Sequence, residues 1–546
     1  MVKNLKLRIK VEFVETEADP SADRHPEEQA DGSFSLVLPQ ADELNISALD
    51  RAALDVSFPA LREALSRHLA EAGKKKLQRE AAPLRAEVRL RERSHVYQVE
   101  GEVGRFRFAL YEACDASGEV VRRGDDWFPK RQPREWHKTE GFREEALCLE
   151  ASRRSYRDNT AHLNRYRRQW QGGTAVTTRQ DNAQKEGARV LDFLERHSQR
   201  VLTAHGFEGL GQPSEAVASG ARAGTDRRLK AEEVERQLAV VAEEMGKRGF
   251  TPEQIELARQ RAAGGVYEDP SHCTNVSVDD VQVKKQKAHR ERSARLKAEP
   301  ADGAATLAPA PSDGANEAGK QSRPQVANTV ARIEQGTKRF TLSGTNLGQV
   351  LRFVLTFLLQ NDLLGGRLHL FSDGYRSLQD TLLAFFAWHP RVCLVLDWYH
   401  VVKKFKEDLS RACRAREVRN RHLAILVRLL WYGMVSEARR YLETIPAAEV
   451  KDPASIERLR NYLERNERSI PCYALRRRLG LRNGSSPVES ANNQVTARRQ
   501  KRNGMSWSKA GSHALTALSV LVCNRCQDIW VREHTVPLRF VDKEAA

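Results

Sequence analysis

Residues 367–400 read RLHLFSDGYRSLQDTLLAFFAWHPRVCLVLDWYH, and this stretch decides the fold. RLHLFSDG has the run of apolar residues expected of a buried strand and ends in an acid, Asp373. GYRSLQDTLLAFFAW carries its apolar residues at helical spacing, and RVCLVLDWYH is a second buried strand ending in Asp397. Strand, helix, strand with an acid at each carboxyl end is a βαβ unit of a parallel sheet, the place where functional residues collect.

Upstream, VANTVARIEQG and KRFTLSG read as two strands joined by a tight turn, and LGQVLRFVLTFLLQN as a helix. Before them, PSHCTNVSVDDVQVKKQK is a β-branched run with two adjacent acids, Asp279 and Asp280. Residues 297–325 are dominated by Ala, Pro and Gly and read as a low-complexity insertion. Three meandering strands followed by alternating helices and strands is the element order of the RNase H fold. The expected class is therefore α/β: a mixed five-stranded sheet flanked by helices, its first part at 270–400. An Arg-rich helical insertion spans 401–482, and the last part, 483–535, brings a helix with Glu489.

That order puts an acid at three places: Asp279 (or Asp280), Asp373 and Glu489, separated by 94 and 116 residues, so only folding can assemble them. Such a trio suits two divalent cations about 3.5–4 Å apart that clamp the attacking and leaving oxygens of a phosphodiester. Hard ions such as Mg²⁺ select carboxylate oxygens, which makes Asp and Glu the expected ligands. Strand alternation leaves Asp279 and Asp280 in competition, since Asp280 is in phase with Val276 and Val278, and Asp279 with Val281 and Val283.

GSSPVESANNQVTARRQKRNGMSW writes a helix start: Ser486 as N-cap, Pro487 at the first helical position and Glu489 in the first turn. An acid there can be a partner of the helix dipole and nothing more. Against this stand Asn492, Asn493, Thr496 and Gln500 near one face with Glu489, and a basic end of Arg498, Arg499, Lys501 and Arg502, an arrangement suited to a DNA strand entering a metal site.

The whole chain has 546 residues with 90 Lys+Arg against 73 Asp+Glu, a net charge of +17. Residues 401–546 hold 29 Lys+Arg and 15 Asp+Glu, hence +14 of that excess. A polyanion is the natural partner of such a surface, through counterion release, although solvated Arg-rich helix faces would give the same count. The best apolar stretches, residues 350–359 and 514–523, are too short to span a bilayer, and the opening MVKNLKLRIKVEFVE lacks a secretory apolar core. Eight scattered cysteines fit a reduced compartment; Cys523 and Cys526 form a lone CxxC, read as part of a buried helix face and not as a zinc site. The expectation is a cytoplasmic protein, nucleoid-associated when on DNA.

The amino-terminal half carries weaker signals. Residues 1–135 mix short strands (KLRIKVEF, SFSLVL, RFRFALY) with a helix around residues 60–70, an α+β module without a motif. Residues 140–206 turn helical, and EEALCLEASRRSY followed by TAHLNRYRRQW has helix-turn-helix spacing, with an ordinary helical hairpin as the alternative. The second helix, capped by Asp158 or Asn159, would present Asn164, Arg165, Arg167 and Arg168 to DNA. Residues 207–227 read as a linker and 228–264 as a charged helical segment.

Four pieces, VSVDDVQVKKQK, FSDGYRSL, VLDWYHVVKKF and SSPVESANNQVTARRQKRNGMSW, resemble the catalytic region of DDE-type insertion-sequence transposases related to the mutator-like group; the likeness covers about residues 265–532. The resemblance implies an RNase H-like core with catalytic, metal-binding acids at Asp279, Asp373 and Glu489. It implies a DxxH element at Asp397 and His400 that supports the site, with Asp280 beside it. It further implies two Mg²⁺ (or Mn²⁺) ions, double-stranded DNA (element ends and target) as partner and a homodimer or larger assembly; the expected DNA contacts are Arg165, Arg167 and Arg168 of the helix-turn-helix reading and Asn493, Arg498, Arg499, Lys501 and Arg502 of the Glu489 helix. The competing expectations are an RNase H-like DNA nuclease that cuts without joining, and a transposase-derived DNA-binding protein without catalysis.

Overall fold

The computed structural model describes residues 27–28, 34–35, 46–83, 88–128, 136–152, 154–169, 173–207, 213–224, 227–286, 325–502 and 505–542. The chain divides into two compact units, residues 1–182 and 183–546. The division falls within the helix Val176–Ala204 and not at the expected linker, because residues beyond 182 of this helix pack into the second unit: Glu186 accepts from Trp530 Nε1 at 2.8 Å, and Glu195 pairs with Arg352 at 2.6 Å.

In the first unit, the helix Ile46–Ala81 lies against a mixed four-stranded sheet, ordered Val120–Arg123, Gly104–Cys114, Arg89–Gly101, His137–Lys138. Tyr97, Val99, Phe108 and Leu110 form its core with the half-buried Phe128. The helix is three times longer than the sequence suggested. The strand expected in KLRIKVEF lies outside the described residues; of SFSLVL, Phe34–Ser35 pairs with Glu27–Glu28. Two further helices, Glu140–Glu150 and Tyr156–Tyr166, occupy the helix-turn-helix-like segment. The second is capped by Ser155 and not by Asp158 or Asn159: Ser155 Oγ accepts from the Asp158 N–H while the Asp158 carboxylate reaches back, a reciprocal capping box.

The second unit is built on a mixed sheet of β1 (Thr274–Lys284), β2 (Gln325–Gln335), β3 (Lys338–Gly344), β4 (Leu368–Ser372), β5 (Val392–Leu396) and β6 (Val541–Asp542), in the order β5-β4-β1-β2-β3-β6. β1, β2 and β3 form an antiparallel meander; β4 and β5 run parallel to β1. The sheet has six strands where five were expected, since the two-residue β6 adds antiparallel to β3 and covers part of its open edge. The low-complexity insertion at 297–325 lies outside the described residues except for Gln325, which starts β2.

Helices cover both faces. Helix α1 (Leu347–Gln360) buries its apolar residues on one, where Phe357 stacks on Phe340 at 4.8 Å. The β4–β5 crossover is α2 (Arg376–Phe385). After β5 the helical insertion runs through α3 (Trp398–Ala412), α4 (Arg416–Trp431), α5 (Val435–Glu443), α6 (Pro453–Asn466) and α7 (Tyr473–Arg478), sharing one core with Phe371, Val395 and Leu396 of the sheet. The chain then returns through α8 (Ser486–Asn492), which continues as one wide π turn, Asn493–Ala497, and a last turn to Gln500, followed by α9 (Lys509–Cys523) and α10 (Gln527–Glu533). Val488, Ala491 and Val495 press α8 and its continuation against Val330 of β2.

The expected linker contains the helix Glu215–Ala223, capped by Ser214 and held at its end by Arg391, which donates to the Ala221 carbonyl at 2.6 Å. Helices Ala231–Lys247 and Pro252–Ala263 fill the 228–264 segment as expected. Among the described residues no helix is long and apolar enough to cross a membrane. All eight cysteines are free; Cys523 ends α9 and Cys526 sits in the turn beyond it, so the two do not share a helix face.

Candidate functional site

The register of the three parallel strands aligns the acids. Phe371 of β4 sits beside Ser277 of β1, and Ser372 beside Leu396 of β5, so continuing each pairing brings Asp373 next to Asp279 on one side and Asp397 on the other. The Asp397 N–H continues the ladder, donating to the Ser372 carbonyl at 2.9 Å. Asp279 lies in mid-strand on the face covered by α8, opposite Val330. It is half-buried, while its neighbour Asp280 is exposed and accepts from Thr329 Oγ1 at 2.6 Å. Alternation thus separates the two acids that the sequence left in competition, and Asp279 is the one facing the site.

α8 is tied to this row at two points. Asn492 Nδ2 donates to Asp279 Oδ2 at 2.7 Å. At the start of the helix, Ser485 donates to Asp397 Oδ2 through both its backbone N–H and its Oγ, the latter at 2.7 Å. The same carboxylate caps α3, its Oδ1 accepting from the His400 N–H at 2.9 Å. A side chain at position 484 would place a Cβ 2.8 Å from Asp397 Oδ2, which explains the glycine there. The observed helix begins at Ser486 with Ser485 as N-cap, one residue earlier than expected, because Ser485 spends its hydroxyl on Asp397 and makes no side-chain cap.

His400 links the pieces: Nδ1 lies 3.3 Å from Asp397 Oδ1 and Nε2 lies 3.6 Å from Glu489 Oε1. Among the described residues, Asp397, His400 and Glu489 are the one trio whose ligand atoms all lie within 4.8 Å of one another; the sequence-expected trio Asp279, Asp373 and Glu489 is not grouped so tightly. Asp397 is nevertheless a poor ligand, since both its oxygens already accept hydrogen bonds in a fully enclosed position.

The electrostatics follow from this packing. Burial pushes the Asp279 carboxyl above the usual carboxylate range, and the charge of Asp373 pushes the same way. Burial also works to raise Asp397, but the hydrogen bonds from His400 and Ser485 prevail and hold it down at about 2. Contact with Asp397 raises the His400 imidazole above its ordinary value against desolvation, helped by the charges of Glu489 and Asp373. Asp279 and Asp373 are thus carboxylates in mutual repulsion, a donor set that suits a hard cation. Among the described residues, Asn492 Oδ1, beside Asp279, and Tyr462 Oη of α6, which faces Gly374 in the turn after Asp373, are buried without a hydrogen-bond partner.

Gly374 has φ +92°, a left-handed conformation that opens the turn after β4, and the Tyr375 N–H donates to Asp373 Oδ1 at 2.9 Å. Lys404 Nζ and the Arg465 guanidinium each lie 5.9 Å from the Tyr462 ring, giving this end of the sheet a basic rim.

Several sequence expectations for DNA contacts fail on burial. Arg167 is fully enclosed, pairs with Glu100 at 3.4 Å and covers the Phe142 ring, so it is part of the first unit's core. Arg168, with φ +50°, pairs with Asp55 at 3.2 Å. Asn164 is held by Thr174 through two hydrogen bonds, which leaves only Arg165 exposed among the expected recognition residues. Arg499 is buried. The polar stripe of Asn492, Thr496 and Gln500 also points inward: Gln500 and Thr516 of α9 join Asn328 of β2 and Ser512 in one buried hydrogen-bonded network. Asn493, Lys501 and Arg502 are exposed and Arg498 half-buried. No protein-family model matches the chain, and no curated protein matches it.

Proposed function

We propose that this chain is a DDE-type DNA transposase of an insertion sequence, with an RNase H-like core and Asp279, Asp373 and Glu489 as its metal-binding acids. The observation that carries the reading is the alignment of Asp279 and Asp373 on adjacent parallel strands with the Glu489 helix fastened to the same row by Asn492 and Ser485. The strand order β3-β2-β1-β4-β5, with β2 alone reversed, supports the core assignment.

In this reading, Asp279, Asp373 and Glu489 would hold two divalent cations, Mg²⁺ or Mn²⁺, which would supply charge stabilisation to the scissile phosphodiester. The rest is the work of the chain. Asn492 fixes the Asp279 carboxylate through its Nδ2. Asp397 locks the starts of α3 and α8 together, and His400, carrying a raised proton affinity, balances the charge of Glu489 and sets its place. Exposed Lys501, Arg502 and Arg465 offer contacts to the phosphate backbone. Many arginines of the insertion are in surface ion pairs, such as Arg421 with Glu449 and Arg460 with Glu443, pairs weak enough to exchange for phosphate.

The proposed reaction is hydrolysis of one phosphodiester to free a 3′-hydroxyl, then attack of that hydroxyl on target DNA. The test is cleavage and joining of DNA bearing the ends of the element that encodes the chain, with and without Mg²⁺. Activity that depends on the cation and disappears in Asp373→Asn and Glu489→Gln supports the reading. Equal activity in those variants overturns the site, and cleavage without joining favours a nuclease.

A further inference from the structure

β4 and β5 are neighbouring parallel strands, and both run out into the same three-residue pattern: Asp373-Gly374-Tyr375 and Asp397-Trp398-Tyr399. The strands are paired in register up to Ser372 and Leu396, and each tyrosine follows its acid by two residues, Tyr375 as the N-cap of α2 beyond the Gly374 turn and Tyr399 in the first turn of α3. They are also the two most exposed large hydrophobic side chains among the described residues, at 68% and 65%. Trp398, between them, turns the other way and packs on Trp431 and Tyr473. A single exposed tyrosine needs no explanation. Two, each two residues past an acid of the carboxylate row and both beyond the carboxyl ends of adjacent parallel strands, are a feature of this rim.

Their placement is fixed from below. The Tyr375 backbone N–H is bonded to Asp373, and the Tyr399 ring rests edge-on against His400 with centroids 5.4 Å apart. Arg465, on α6 with the Tyr462 that packs on the Gly374 turn, supplies positive charge at the same rim, while Lys404 beside the same ring is paired with Asp408 at 2.8 Å. Exposed aromatic faces combined with a basic rim are the recognition chemistry of unpaired nucleobases on a phosphate backbone; within an intact duplex the base faces are already stacked on each other.

We propose that Tyr375 and Tyr399 form a stacking platform for an unpaired base next to the scissile phosphate, so that the substrate presented to the acids is a frayed or single-stranded DNA end. This rests on the reading of the site as one that acts on DNA.

The test is equilibrium binding of the full chain, without divalent cation, to two oligonucleotides: a blunt duplex, and the same duplex with a short 3′ overhang containing 2-aminopurine. Expected is tighter binding of the overhang and quenching of 2-aminopurine fluorescence. Tyr375→Ala and Tyr399→Ala should each weaken overhang binding about 5- to 150-fold and relieve the quenching, with blunt-duplex binding little changed. Tyr375→Phe and Tyr399→Phe should keep both signals, because the ring and not the hydroxyl does the stacking. No preference for the overhang in the wild type, or alanine variants that bind and quench as the wild type does, overturns the platform. If Mg²⁺-dependent cleavage is intact while the alanine variants are silent here, the platform alone has failed. If stacking is seen but no DNA is ever cut, the catalytic reading has failed and the platform stands.

Discussion

Replacing Asp397 with Asn removes the charge but little volume, and the cost can be worked out from the contacts. The carboxylate accepts three hydrogen bonds in an enclosed position: one from the His400 N–H on Oδ1 and two from Ser485 on Oδ2. Holding the acid down at about 2, against an ordinary value of 3.8, corresponds to about 2.5 kcal/mol of native stabilisation at neutral pH, since each unit is ~1.4 kcal/mol. The asparagine amide must also turn its NH₂ toward one set of donors, leaving a buried N–H unpaired at about 1–3 kcal/mol. A local loss of about 3–5 kcal/mol is therefore expected, at least on the order of 100-fold in the opening equilibrium of the α8 start. Hydrogen exchange at neutral pH over residues 481–495 reads it directly, and protection there should fall by that factor, with the β2–β3 hairpin unchanged. Because the folded carboxyl titrates below its unfolded value, the wild type keeps this contribution above about pH 5 and loses it as pH falls towards 2. The variant, corrected for intrinsic exchange, should lack that acid-dependent step. Protection in Asp397→Asn within about threefold of wild type would refute the assignment of Asp397 as the clamp between α3 and α8.

Gly484→Ala should loosen the same clamp from the other side, by about 1–3 kcal/mol, because its Cβ would press on Asp397 Oδ2; an unchanged melting temperature together with unchanged DNA cleavage would rule this out. Arg167→Met should cost the first unit about 1–3 kcal/mol by removing one of the two cations on buried Glu100, Arg105 at 3.2 Å remaining, seen as faster hydrogen exchange over residues 89–101. A loss of DNA affinity without loss of stability would instead return Arg167 to the DNA surface. Burial, with the charges of Arg476 and Arg367, holds the His369 imidazole down at about 3. Between pH 6.5 and 3 the unfolded chain therefore binds a proton that the native state refuses, and stability drops by about 1.4 kcal/mol per pH unit as pH falls. His369→Leu should flatten the change in urea midpoint between pH 7 and pH 5, and an unaltered change would exclude His369 as its source.

What could be read from sequence was whatever is written locally. The β4–α2–β5 unit, the β2–β3 hairpin and the helical nature of the insertion follow from periodicity within one element, and each is present near the expected bounds. Asp373 and Asp397 were legible for the same reason: an acid ending an apolar run is out of place unless a strand ends there. Arg167 misled because its partner Glu100 is 67 residues away, and an Arg-rich helix reads as solvated until the distant carboxylate is found. The Asn492, Thr496 and Gln500 stripe misled similarly. Polar residues at helical spacing look like a wet face, and the groups that satisfy them, Asn328, Ser512 and Thr516, come from other elements. Asp397 as a clamp had a local signal only for its N-cap role; its bonds to Ser485 span 88 residues.

The wide turn at Asn493–Ala497 sets the phase between the two ends of one helix. The Arg498 N–H bonds back to the Asn493 carbonyl, five residues earlier, so one residue more than a regular turn holds is accommodated there. Ahead of it, Asn492 is aimed at Asp279; behind it, Gln500 is aimed at the buried network with α9. Deleting one residue of the turn would restore a regular helix and leave both ends near their present directions, whereas a deletion elsewhere in the helix would swing everything after it by about 100° about the axis. The acids would then keep their helix while its far end lost its seat. The turn is in effect the slack of the segment, the one place where a residue can be lost without re-aiming Gln500 relative to Asn492.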